Sequence, residues 1–451
     1  MLAGNLTLIE RVKDSSARWN PLRKVDTLGQ FDFNTGVVML DSLLIQDVQG
    51  VSLPELDSNQ PIDMESFQKL SKVLPLAVHE YTHFVEATST VWGLRHLKML
   101  DKAYSCDFAD ESKFHVVRTY YTHLRRLKFP DYYTAVPNLY DATRPWQWRP
   151  SAGREFRHDG KPSERPIIFI RFSNTAGQLV ARSPISLISL LETSAMSAEI
   201  EANLALIARI QDEGERTVQA AIYEDELFSY LYDVTLTEYS VCAHLVANRF
   251  NMPNARVSFL ASSVIARTVL NSSKDVYSVV LKNFNVYLAR VGLSGSDQES
   301  KMLRRSLANS DPGALFYIIC LQMDRGALSS LPAFASGLVV AMRQLGVKFE
   351  FYIETALREA GGLHADLIGS SLNSVVEFAA AGFENLACML GAYGMLKLSD
   401  MNLPPVLLGD DSEWRLHDAT ANRLRGFGVP DSYFELVEGQ IKMEAFGDAC
   451  L

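Results

Sequence analysis

The stretch Leu76-Ala77-Val78-His79-Glu80-Tyr81-Thr82-His83-Phe84-Val85 sets two histidines four positions apart, with a glutamate directly after the first. In a helix that spacing puts both imidazoles on one face, one turn from each other, so both can reach a single ion. Glu80 lies on the flank of that face, where a carboxylate can take a proton from water and hand it to a leaving group. The remaining residues of the stretch are uncharged, so it reads as a buried helix rather than a solvated one. With nine histidines in 451 residues, this pattern arises by chance in roughly one such chain in a hundred. Glu86 continues the stripe His79, His83, Glu86 at i, i+4 and i+7. It stands too far along to share an ion with His79, and reads as a support for His83 or as an exposed charge.

Two histidines leave an ion short of protein ligands. A second helix, over residues 185–210, is apolar along most of its length yet carries Glu192 and Glu199. These are seven apart and share nearly one face with Ile188, Met196 and Leu206, where an unpartnered carboxylate is costly to bury. Ligation of a metal, or support of a metal-bound histidine, resolves that cost. Glu201 falls about half a turn away and suits the solvent side.

The segment Val78 to Phe84 resembles the active-site helix of the zincin metallopeptidases, over about ten residues of the chain. The resemblance implies that His79 and His83 bind zinc and that Glu80 is the general base of peptide-bond hydrolysis by a metal-activated water. It also implies a third ligand from a later helix, as in zincins that use a glutamate. Glu192 opens the run Glu-Thr-Ser-Ala, whose small residues permit close helix packing, and is similar to that ligand. Glu199 would then orient His79 or His83 from behind. The chain departs from the best-known members in the longer gap, about 108 residues, between His83 and Glu192. Members also commonly steady the tetrahedral oxyanion with a tyrosine or histidine. Tyr239 and His244 are both candidates here, and His96 follows the motif closely enough to lie nearby.

Outward from the motif, Phe31 to Phe33, Asn34-Thr35-Gly36 and Val37 to Leu40 read as a hairpin with a glycine turn, and Leu43 to Val48 as an extension of its sheet. In zincin-like folds an edge strand beside the motif helix holds an extended peptide, so the hairpin is expected next to residues 76–88. Helical patterning starts at Asp63, with a kink or fresh start expected at Pro75. Residues 111–127 look helical. Residues 130–166 turn polar and rich in Pro, Gly and Trp, a long excursion that could cover the site. Residues 167–172 form a short strand. Pro184 suits the first turn of the next helix, and helices dominate from there on. The expected fold is mainly α with a small N-terminal β-sheet (α+β): a zincin-like catalytic domain over 1–213 and a helical domain over 214–451.

Composition bounds the partners. Hydrophobic residues make up 47% and charged residues 21%, enough for a substantial core. A net charge of −10 repels a phosphate backbone, so no nucleic-acid partner is expected. Arg118, His123, Arg125, Arg126 and Lys128 form the densest basic run and read as a solvated helix face. Five scattered cysteines without a CxxC pair fit a reducing compartment. The first residues lack the pattern of a secretory leader, and no apolar run is long enough for a membrane span. A cytoplasmic location follows, with a protein or peptide substrate. A protease there must be restrained by a regulatory partner protein, by a covering segment or by narrow specificity. Three rival readings stand beside this one. A helical assembly protein would use a structural or inactive zinc closed by Glu86 or Glu199 as fourth ligand. A non-heme iron oxygenase is the second. A di-iron helical core is the third, but its other Glu-x-x-His element, Glu155 to His158, falls in a polar loop.

Overall fold

The computed structural model describes residues 28–107, 110–137, 144–157, 159–250, 254–290, 294–295, 297–324, 330–391 and 396–450. The fold is mainly α with two small sheets. In chain order the first elements are β1 (Gln30–Phe31), β2 (Val38–Leu40), α1 (Ile45–Val48), α2 (Met64–Ser89), α3 (Val91–Tyr104) and α4 (Phe114–Leu124). Three strands follow, β3 (Gln147–Phe156), β4 (Pro162–Ser173) and β5 (Leu179–Pro184). Then come α5 (Leu187–Ala208), α6 (Glu213–Leu231), α7 (Thr237–Phe250), α8 (Ala255–Leu270), α9 (Lys274–Lys282) and α10 (Phe284–Arg290). The chain continues through α11 (Gln298–Ala308), α12 (Pro312–Gln322), α13 (Leu331–Gln344), α14 (Phe349–Leu367) and α15 (Asn373–Gly391). It ends with β6 (Val406–Leu408), β7 (Glu413–Trp414) and α16 (Val429–Cys450).

Two compact units emerge, and each takes chain from both sides of residue 213. One comprises Met1–Leu127, Ala198–Ala221 and Glu359–Leu451; the other comprises Lys128–Ser197 and Ile222–Arg358. In the first, β1 and β2 form the expected antiparallel hairpin, and β2 pairs in parallel with β6, giving the order β1-β2-β6-β7. This sheet rests on α2, which also packs against α3 and α15. Close approach is possible because Gly93 of α3 and Gly382 of α15 have no side chain. A Cβ on Gly93 would come within 2.3 Å of the Glu86 carbonyl oxygen, and one on Gly382 within 2.0 Å of the Thr88 carbonyl oxygen. In the second unit, β4 pairs antiparallel with β3 and β5, α7 and α11 lie against this sheet, and α8 packs on α7 and α12.

Several expectations are corrected. Residues 45–48 turn as helix α1 rather than extending the sheet. Helix α2 runs on through Pro75, so no fresh helix starts there, and its N-terminus is capped by the Asp63 side chain on the Ser66 N–H. Proline leaves only the Ser71 carbonyl without its helical donor. Ser71 is half-buried, where water can serve it, and the buried face from Val73 to Val85 holds the helix together. The second half of the excursion over 130–166 is mostly β3 and the start of β4, with 138–143 and His158 outside the described residues. Its Pro and Gly residues read as loop, but pairing with the apolar run Ile167 to Phe172 draws them into a sheet. Pro184 ends β5 instead of opening α5. Ser186 caps that helix: its hydroxyl accepts from the Ser189 N–H at 3.2 Å while the Ser189 hydroxyl accepts from the Ser186 N–H at 3.2 Å. Between Lys274 and Arg290 the chain forms two helices, α9 and α10, parted at Asn283.

Candidate metal centre

Helix α2 presents the motif and α5 the two glutamates. Their ends are joined inside the first unit. Ile62, just before α2, forms a parallel bridge with Ile210, just after α5. The Arg209 guanidinium donates to the carbonyls of Gln60 (2.9 Å) and Glu55 (2.6 Å) and to the Glu55 carboxylate (3.2 Å). These bonds satisfy a guanidinium that is 9% exposed. Midway along α2, the Tyr81 hydroxyl donates to the Pro404 carbonyl at 2.7 Å and fixes the helix against the segment leading to β6.

With the helices so placed, one ligand atom each from His79, His83 and Glu192 lies within 4.8 Å of the others. Donors around one tetrahedral zinc, bonded at ~2.0–2.2 Å, stand roughly 3.3–3.6 Å apart, a spacing that falls within this bound. The three residues are 5%, 0% and 0% exposed. Behind His79, its Nδ1 meets the Glu199 carboxylate at 2.8 Å. A carboxylate accepts only, so Nδ1 carries the proton and Nε2 is left to ligate. Behind His83, the Glu86 carboxylate stands 3.7 Å from Nδ1, and both residues are fully buried. Of the two readings of Glu86, the exposed charge is therefore excluded. Each α2 histidine has a glutamate at its back, and Glu192 stands seven residues from Glu199 on the same helix face.

Glu80 is 2% exposed, one residue past His79, which places it on the flank of the ligand face. Glu201 is half-buried. The hairpin lies beside the motif as expected: the Phe31 ring is 6.3 Å from that of Phe84, and the Phe33 ring 6.4 Å from that of His83. The edge strand β1, however, is two buried residues long and offers little backbone to an added peptide.

His96, His123 and His244 have other duties. His96 bonds the Phe33 carbonyl through Nε2 at 2.9 Å and His123 through Nδ1 at 3.1 Å. A carbonyl only accepts, so His96 Nε2 carries a proton and His123 Nε2 donates to His96 Nδ1. Burial pushes His96 down to about 4 and lowers His123 as well. His96 therefore holds the hairpin turn whose Phe33 faces His83. His244 bonds the Leu231 carbonyl, stacks on Trp146 and is pushed down to about 4 by burial. The Tyr239 hydroxyl accepts from the Lys128 ammonium at 3.2 Å. Arg118, Arg125 and Arg126 are exposed, whereas His123 and Lys128 of the same run are half-buried, so the run is a solvated face only in part; Glu155 of the di-iron alternative sits on strand β3 rather than on a helix. Among the described residues no helix is long and apolar enough to cross a membrane.

Comparison of the chain with protein-family models, with curated proteins and with solved structures gives no match.

Proposed function

We propose that this protein is a zinc-dependent metallopeptidase whose centre is built from His79, His83 and Glu192. The observation that carries the reading is the meeting of these three donors, with Glu199 bonded to His79, on two helices whose motif residues are more than 100 positions apart. Two imidazoles and a carboxylate are the donor set of a zinc site that keeps a fourth position open. When bound, zinc lowers the pKa of its water and polarises a scissile carbonyl. The chain's own residues do the rest. Glu199 and Glu86 orient the imidazoles and make them better donors. Glu80 takes the proton from the attacking water and delivers it to the leaving amine. The substrate is a protein or peptide, and a regulatory partner would restrain the activity. The free, buried Cys242 and Cys320 support a reducing, cytoplasmic setting.

A second reading draws on the burial of the ligands. Residues 0–5% exposed at the centre suit a small reactant better than a long polypeptide. Two histidines and one carboxylate also make the facial triad of non-heme iron oxygenases. The deciding experiment is metal analysis of the purified protein joined to peptide hydrolysis by wild type and Glu80→Gln. Zinc bound by both, with hydrolysis only in the wild type, supports the peptidase. Bound iron, or equal activity of both, overturns it.

A further inference from the structure

We propose that a cleft at the starts of α15 and α16 is a second binding site, for the cationic side chain of an arginine or lysine in a peptide. The cleft lies wholly in the unit containing 359–451 and has a volume of about 530 Å³. That falls in the range of roughly 300–1,000 Å³ typical of ligand pockets. Its walls include Glu377, Arg423, Phe427, Asp431, Ser432 and Glu435. Three carboxylates against one guanidinium leave it with a charge of −2.

The internal contacts decide the sign of the ligand. A bare helix N-terminus attracts anions. That of α15 already holds the Glu435 carboxylate, which accepts from the N–H groups of Asn373 (2.7 Å) and Ser374 (2.8 Å). Arg423 is taken too, with its Nε donating to Glu377 at 3.1 Å and a terminal nitrogen 3.7 Å from Glu384. No cation of the cleft is left over for an anionic ligand. Asp431, exposed on the first turn of α16, has no ion-pair partner among the described residues. Ser432 beside it is 3% exposed, and its hydroxyl oxygen finds no hydrogen-bond partner among them. A buried hydroxyl in that state is costly unless something bonds it. A guanidinium supplies what both lack: a flat fork of N–H donors for the carboxylate and a further donor for the hydroxyl. The Phe427 ring offers an aromatic face to the same charge. The inference is independent of the metal centre.

The test is fluorescence anisotropy of the full chain with labelled tri-arginine, and with tri-citrulline, which has the same shape without the charge. Tri-arginine should bind at least about tenfold more tightly, as expected for charge-assisted hydrogen bonds. Asp431→Asn should lose on the order of tenfold and Ser432→Ala several-fold, with circular dichroism unchanged. Glu354→Gln, at an exposed carboxylate on α14, should bind as wild type. Equal binding of tri-citrulline overturns the proposal. So does a loss in Glu354→Gln matching that in Asp431→Asn, which would mean attraction to the acidic surface at large. Should Asp431→Asn fail to fold, wild-type affinity in Ser432→Ala overturns it by itself.

Discussion

The side chains at the metal centre make unequal contributions, and substitution should rank them. His79→Ala or His83→Ala removes a donor from a three-donor set and should strip about one zinc per chain, as read by metal analysis after dialysis. Full zinc in both variants would remove the site. Glu192→Ala should weaken zinc binding more than Glu199→Ala. The Glu192 oxygen belongs to the ligand cluster, whereas Glu199 meets the metal only through His79. Loss of a carboxylate behind a ligand histidine typically costs ~10–100-fold in affinity. A competition titration with a chromogenic chelator gives the order, and the reverse order would move the ligand role to Glu199. Glu80→Gln keeps the shape and one hydrogen bond but cannot accept a proton. It should fold, hold zinc and lose ~10²–10⁴ in rate. His79, His83 and Glu86 were legible in the sequence because helical periodicity alone puts them on one stripe, with Glu80 on its flank. Glu199 was legible as a support but not as the partner of His79 in particular, since that depends on how far α5 slides along α2.

The helices carry the site only if their close contacts are kept. Gly382 of α15 lets the backbone of that helix approach Thr88, three residues past the 76–85 stretch. An alanine there must push α15 away from α2, and such overpacking typically costs ~1–3 kcal/mol. Gly382→Ala should therefore lower the urea midpoint and weaken zinc binding together, although it touches no ligand. An unchanged midpoint would show that α15 yields without strain. The same elements show why much of the fold was hidden. The hairpin at 30–40 is local and announced itself through Asn34-Thr35-Gly36. Its continuation is not local: Met39 pairs with Leu407, and nothing in either short run points to the other. The run Gln147 to Pro166 contains prolines and two glycines that argue for loop, yet it forms a ladder because Ile167 to Phe172 supplies the apolar strand beside it. Ser186 rather than Pro184 starts α5, a choice made by two hydroxyls three residues apart that helical propensity does not see.

Acid should unfold this chain earlier than its carboxylates alone would suggest, because both units bury neutral histidines. His96 in one unit and His244 in the other are held down to about 4, against 6.5 for a solvated imidazole. The unfolded chain therefore binds more protons than the folded one between those two values, and stability rises with pH across that window. Their full contribution is present above about pH 6.5 and is lost as pH falls toward 4. It amounts to about 3 kcal/mol for each histidine, from ~1.4 kcal/mol per pKa unit. Asp32 and Asp311, whose carboxyls burial raises above 3.8, act in the opposite sense, because there the folded state binds the extra proton. His96→Gln isolates the effect: the amide can still donate to the Phe33 carbonyl but does not titrate. Metal must be removed first with a chelator, since protonation of His79 and His83 would add its own acid dependence. The urea midpoint of the metal-free wild type should then fall steeply between pH 6.5 and 4.5, and that of His96→Gln should fall less. Parallel curves for the two proteins would mean that His96 is protonated in the folded state without penalty, and that its bond to the hairpin turn survives acid.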